Sequence, residues 1–113
     1  MAAHQLTLFI SGDTTNARAA LLNVERLCER VSGGCLVDVI DVKADPDLAE
    51  ADRVIATPML ISRHTERPQR VVGDLSDLEA VIRFFEMAQA PPDAVGTGRI
   101  RWSGSRAGPA GDD

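Results

Sequence analysis

Ala56-Thr57-Pro58-Met59-Leu60 sets a proline directly ahead of a short apolar run, Met59-Leu60-Ile61-Ser62. Proline fixes its own φ and biases the residue before it toward extended backbone, so this stretch reads as a loop shaped to lead into a strand. An earlier turn, Ser11-Gly12-Asp13-Thr14-Thr15-Asn16, closes the first apolar run of the chain and contains no cysteine. Thiol redox chemistry needs a thiolate nucleophile, and neither turn supplies one. A shaped proline loop without a reactive thiol points to a scaffold used for binding.

The segments around these turns have clear periods. Residues 5–10 combine alternation at Leu6, Leu8 and Ile10 with Phe9, as a buried first strand does. Thr14 or Thr15 then caps a helix by accepting a bond from an otherwise unpaired backbone N–H. Ala17, Ala20, Leu21, Val24, Leu27, Cys28 and Val31 recur at spacings of three and four, giving that helix one apolar face. Ser32-Gly33-Gly34 stops it. The β-branched run from Leu36 to Val42 is the second strand. Asp45 and Pro46 announce a second helix, with proline at its first position and Asp47 at its positive end, fading near Arg53. Met59–Ser62 and Gln69–Val72 pair as a hairpin across the loop of His64-Thr65-Glu66-Arg67-Pro68. Ser76 and Glu79 have the spacing of a capping box, and the helix they open is expected to run to about Ala90, stopped by Pro91-Pro92.

The order β-α-β-α-β-β-α, with a parallel strand pair joined by a helix and an antiparallel hairpin after it, predicts a thioredoxin-like α/β fold. Its mixed four-stranded sheet would carry helices on both faces. In that fold Pro58 is the structural cis-proline, and the Ser11–Asn16 turn is where a redox member would carry its cysteine pair. Residues 1–90 are expected to form this single domain. Residues 91–113, rich in Gly, Pro, Ser and Ala, read as a disordered C-terminal tail with a small apolar island at Ile100-Arg101-Trp102.

The formal net charge of −5 and a single lysine, Lys43, exclude a nucleic-acid binder of the usual kind. No run of apolar residues is long enough to span a membrane, and residues 1–4 lack a signal peptide's features, so the expected location is cytoplasmic. Cys28 and Cys35, seven apart, match neither a redox pair nor a metal-ligand spacing and read as small buried hydrophobes. Asp38, Asp41, Asp45 and Asp47 lack the glycine and terminal glutamate of a calcium loop, so neither a metal nor another cofactor is expected. His4 and His64 are expected in solvent.

Five ordered stretches resemble the KaiB family, small proteins of the cyanobacterial circadian oscillator and their relatives in other bacteria. They are Ser11–Asn16, Val39–Val42, Pro46–Asp52, Ile55–Pro58 and Val71–Ser76. The resemblance implies a non-enzymatic protein that docks on the ATPase ring of a KaiC-type hexamer. It also implies two arrangements, a tetrameric ground state and a thioredoxin-like monomer that binds KaiC. Clock members tend to carry a glycine inside the last helical stretch and a tyrosine near its end. This chain has Val81-Ile82-Arg83-Phe84-Phe85-Glu86-Met87-Ala88-Gln89 there and no tyrosine at all. An uninterrupted helix is thereby favoured, so the expected resting state is the thioredoxin-like one, as a monomer or weak dimer and not a tetramer. Ala19 stands where the family usually has an arginine, which argues against capture of KaiA.

By the resemblance, Asp47, Ala51 and Arg53 lie in the KaiC-docking helix and are the expected partner-binding residues, with Leu48 read as core before anchor. Two other readings stand beside this one. One is a thiol oxidoreductase working through Cys28 or Cys35. The other is an adaptor for a signalling kinase in a stress response.

Overall fold

The structure, a computed structural model, describes residues 3–63, 68–90 and 98–102. Strand β1 (His4–Ile10) is buried almost continuously because it lies at the middle of the sheet, where both faces are covered. Thr14 is extended at the head of α1 (Thr15–Arg30), and its Oγ1 accepts from the Ala17 N–H at 3.0 Å. The chain then reverses through Gly33 and Gly34, both at positive φ. Strand β2 (Cys35–Asp41) returns parallel to β1, in register from His4 opposite Cys35 to Ile10 opposite Asp41. His4 is thereby drawn into the sheet and is 8% exposed, contrary to the solvent position expected for it.

Helix α2 (Pro46–Ala51) has Pro46 in its first turn; Asp45 holds the N-cap position without a side-chain bond to the helix. Strands β3 (Met59–Ser62) and β4 (Gln69–Val72) follow as an antiparallel pair, with β3 also antiparallel to β1. The loop holding His64 lies outside the described residues, as do residues 91–97 and 103–113.

Two parts of the C-terminal third differ from expectation. Helix α3 spans Leu78–Phe84 only, and its cap is Asp77, whose Oδ1 accepts from the Ala80 N–H at 3.1 Å. The capping box of Ser76 and Glu79 does not form. With Asp77 as the cap, Glu79 is the second helical residue and not the third that a capping box needs, and it pairs with Arg30 at 3.2 Å. At its other end α3 stops in a left-handed turn. Glu86 takes φ 55°, its N–H donates to Arg83, and the Met87 N–H reaches back to the Ile82 carbonyl at 3.0 Å. This pair of bonds is a Schellman motif, completed by the buried side chains of Ile82 and Met87 in one core.

The second difference is a fifth strand. Gly98–Trp102 form β5, parallel to β2, so the sheet has the order β4-β3-β1-β2-β5 where four strands were expected. Gly98 lies against α1: a Cβ there would stand 2.8 Å from the Cβ of Cys28. The side chains of Ile100 and Trp102 pack on the main core.

Helices cover both sides of the sheet. Helices α1 and α3 share the larger core with Leu6, Leu8, Val37, Val39 and Leu60. Helix α2 closes a smaller one, where Ala49 meets Phe9, Ile40, Met59 and Ile61.

Candidate functional site

The turn after β1 and the loop before β3 come together at one end of the sheet, because β3 runs antiparallel to β1 with Met59 opposite Phe9. The Thr57–Pro58 bond is cis, Pro58 is buried, and its carbonyl accepts from the Gly73 N–H at 2.9 Å, which ties the loop to the end of β4. The opposing turn is held by Asp41, whose Oδ1 accepts from the N–H groups of Gly12 at 3.0 Å and Lys43 at 2.9 Å. Gly12 sits at φ 71°, a conformation that favours glycine. This end of the fold holds no thiol.

Cys28 and Cys35 lie at the far end. Cys35 opens β2 opposite His4, so the length of a seven-residue strand, roughly 20 Å, separates it from the Pro58 loop. Both are buried and reduced. The Cys28 thiol is pushed up strongly, by its hydrogen bond with Cys35 and then by burial, which disfavours the thiolate. Their burial agrees with the reading as small hydrophobes, and no geometry here favours the oxidoreductase alternative.

Between the two turns, α2 presents its outer side to solvent. Asp47 and Ala51, one helical turn apart, are both exposed, and Arg53 follows just past the end. The helix ends as α3 does. Arg53 takes φ 55°, its N–H donates to Glu50, and the Val54 N–H donates to the Ala49 carbonyl at 2.9 Å. Ala49 and Val54 meet in the smaller core, so burying that pair turns the backbone at Arg53 and throws the next residues outward. Ile55 is 92% exposed as a result. Leu48, expected in the core, is 40% exposed instead, because a six-residue helix buries a single position, Ala49.

Asp47, Ala51 and Arg53 are therefore exposed on α2 and just past its end, and so are two apolar side chains of the same stretch, Leu48 and Ile55. Ile55 belongs to the stretch Ile55–Pro58 quoted for the family resemblance, but it was given no role at the site, since in the sequence it reads as one more β-branched residue before a strand. Asp52 pairs with Arg63, at 2.7 Å. No cluster of three or more metal-ligating side chains occurs among the described residues. The surface offers shape, apolar area and charge, as a docking site does.

Comparisons with known proteins agree with this architecture. Residues 7–87 match the KaiB domain family. The chain is 35% identical over 95 residues to the circadian clock oscillator protein KaiB of a Cyanothece species, covering 79% of this chain and 90% of that one. It is also 35% identical over 78 residues to the circadian clock protein KaiB3 of a Synechocystis species, covering 68% of this chain and 76% of the relative. Among solved structures, the N-terminal domain of SasA from Synechococcus elongatus superposes with a TM-score of 0.62 at 21% identity, over 76% of this chain and 86% of that domain. The thioredoxin Deadhead of Drosophila melanogaster superposes with a TM-score of 0.59 at 18% identity, over 74% and 79%. These two likenesses are of fold alone, and the fold they show is thioredoxin-like.

Proposed function

The chain belongs to the KaiB domain family, and on that premise we propose that it is a non-enzymatic docking protein for a KaiC-type ATPase, resting in the thioredoxin-like arrangement. The observation that carries the proposal is the solvent-exposed stretch of α2 and the following loop, where Leu48 and the 92%-exposed Ile55 are bare to solvent in the same stretch as the exposed Asp47, Ala51 and Arg53. A monomer that leaves an isoleucine so bare beside a conformationally fixed turn gains stability when a partner covers it, since full burial of such a side chain is worth about 1.5–3 kcal/mol. The charges around it tune orientation and encounter more than they supply affinity. The absence of a thiol from the Ser11–Asn16 turn keeps this end of the fold free for contact and not for redox exchange.

Docking of this surface would alter the ATPase's turnover or its recruitment of further proteins. The test is a binding titration of the chain against a KaiC-type hexamer with ATP. Ile55→Asp and Ala51→Arg, both at exposed positions, are expected to weaken binding by about tenfold or more while leaving thermal unfolding unchanged. Binding that is indifferent to both substitutions contradicts the assignment of the surface.

A further inference from the structure

Helix α2 is too short to cover its side of the sheet. It closes over Phe9, Ile40, Met59 and Ile61. Beyond it the register sets Asp38 beside Thr7 and Arg101, and in the next row Leu36 beside Gln5 and Arg99. Arg63 completes that row at the end of β3, where its N–H donates to the Gln5 carbonyl at 2.9 Å. Leu36 is 42% exposed, and Gln5, Arg99 and Arg101 are open to solvent. A cavity of about 660 Å³ lies over these rows, with Arg63, Arg99 and Arg101 around it.

The charge here runs against that of the whole chain, which is −5. Arg63 is held by Asp52 at 2.7 Å and by the Thr7 hydroxyl at 3.0 Å. Arg101 is held by Asp38 at 2.7 Å. Arg99 has no ion pair among the described residues. Three guanidinium groups are thus presented over one floor, two of them oriented by carboxylates and one uncommitted. The floor between them is a half-exposed leucine. Arg99 and Arg101 belong to β5, which lies outside residues 7–87 of the family match.

We propose that this open half of the sheet is a docking surface for an acidic segment of a partner protein. The geometry fixes what such a segment must look like. Arg63 and Arg99 stand three strands apart in one row, roughly 14 Å, which an extended chain covers in about four residues. Arg99 and Arg101 are two residues apart along β5, about 7 Å. Carboxylates at those separations meet the planar guanidinium forks, and an apolar side chain between them covers Leu36. A nucleic acid fits less well, because two of the three arginines already hold carboxylates and the excess positive charge is too small for a polyanion. The surface does not rest on the α2–Ile55 docking site and is tested without the ATPase.

The experiment titrates a short fluorescein-labelled peptide of glutamates with one central leucine into the full chain, read by anisotropy and by amide shifts in heteronuclear NMR. The expected result is saturable binding, shifts centred on Gln5, Leu36 and Arg99, and a loss of affinity of about tenfold in Arg99→Glu/Arg101→Glu. Should that double variant disturb β5, Arg99→Gln breaks no ion pair and still lowers affinity about threefold. Arg26→Glu, an exposed control on α1, and Ile55→Asp leave the peptide's affinity unchanged. Overturning results are no binding, an equal loss in Arg26→Glu, shifts elsewhere on the chain, or tighter binding of a single-stranded oligonucleotide than of the peptide.

Discussion

Cys28 and Cys35 illustrate how one environment settles what a residue does. They were legible as core from their place on an apolar helix face and at the mouth of a strand, and their burial follows that pattern. Their contact with each other was not legible because it depends on how α1 packs on β2, and that of Cys28 with Gly98 because it depends on a strand assembled from the end of the chain. The Cys28 thiol is raised above its ordinary value of 9.0 by Cys35 and by burial. The folded state therefore keeps the proton that the unfolded chain releases. This contribution to stability is fully present below pH 9 and falls away as pH rises beyond it, by a little over 1 kcal/mol per pH unit. The chain has no tyrosine and one lysine, so few other side chains titrate there to mask it. Denaturant unfolding between pH 8 and 10.5 is expected to show a decline setting in near pH 9 that Cys28→Ala abolishes.

At the scale of elements, the ends of α2 and α3 follow one rule. In each, a non-glycine residue, Arg53 or Glu86, adopts the left-handed conformation so that the next residue, Val54 or Met87, can return to a core. The apolar period through Phe85 and Ala88 suggested a continuous helix to about Ala90, since periodicity carries no information about where burial demands a reversal. The left-handed conformation costs a side chain about 1–2 kcal/mol relative to glycine. Part of that gain is offset by glycine's greater freedom in the unfolded chain. Glu86→Gly is therefore expected to stabilise the protein by about 0.5–1 kcal/mol in denaturant unfolding; destabilisation would contradict the role given to Glu86. Strand β5 escaped recognition for a different reason. Its alternation, Arg99 and Arg101 on one side and Ile100 and Trp102 on the other, is a true strand signal. It spans only four residues within Gly- and Ser-rich sequence, and its parallel pairing to β2 is remote in the chain.

For the whole molecule, most of the fold was legible because strand and helix periods alternate cleanly from residue 4 to residue 84. The order β4-β3-β1-β2 follows from that alternation and a hairpin; the addition of β5 widens the sheet on the β2 side. The proposed docking surface was legible in part. Asp47, Ala51 and Arg53 entered through family resemblance, and the structure sets them on the exposed side of α2 and just beyond it. Leu48 was read as core before anchor and Ile55 was given no role; their exposure follows from the shortness of α2 and the turn at Arg53, which hydrophobicity alone does not reveal. The central claim is that this surface meets a KaiC-type ATPase while the sheet stays thioredoxin-like. Amide hydrogen exchange of the chain alone and in complex with the ATP-loaded hexamer tests it most directly. New protection confined to residues 46–57, with unchanged protection across β1 and β3, is the predicted result. Absence of a complex, or protection that leaves residues 46–57 unaffected, would contradict it.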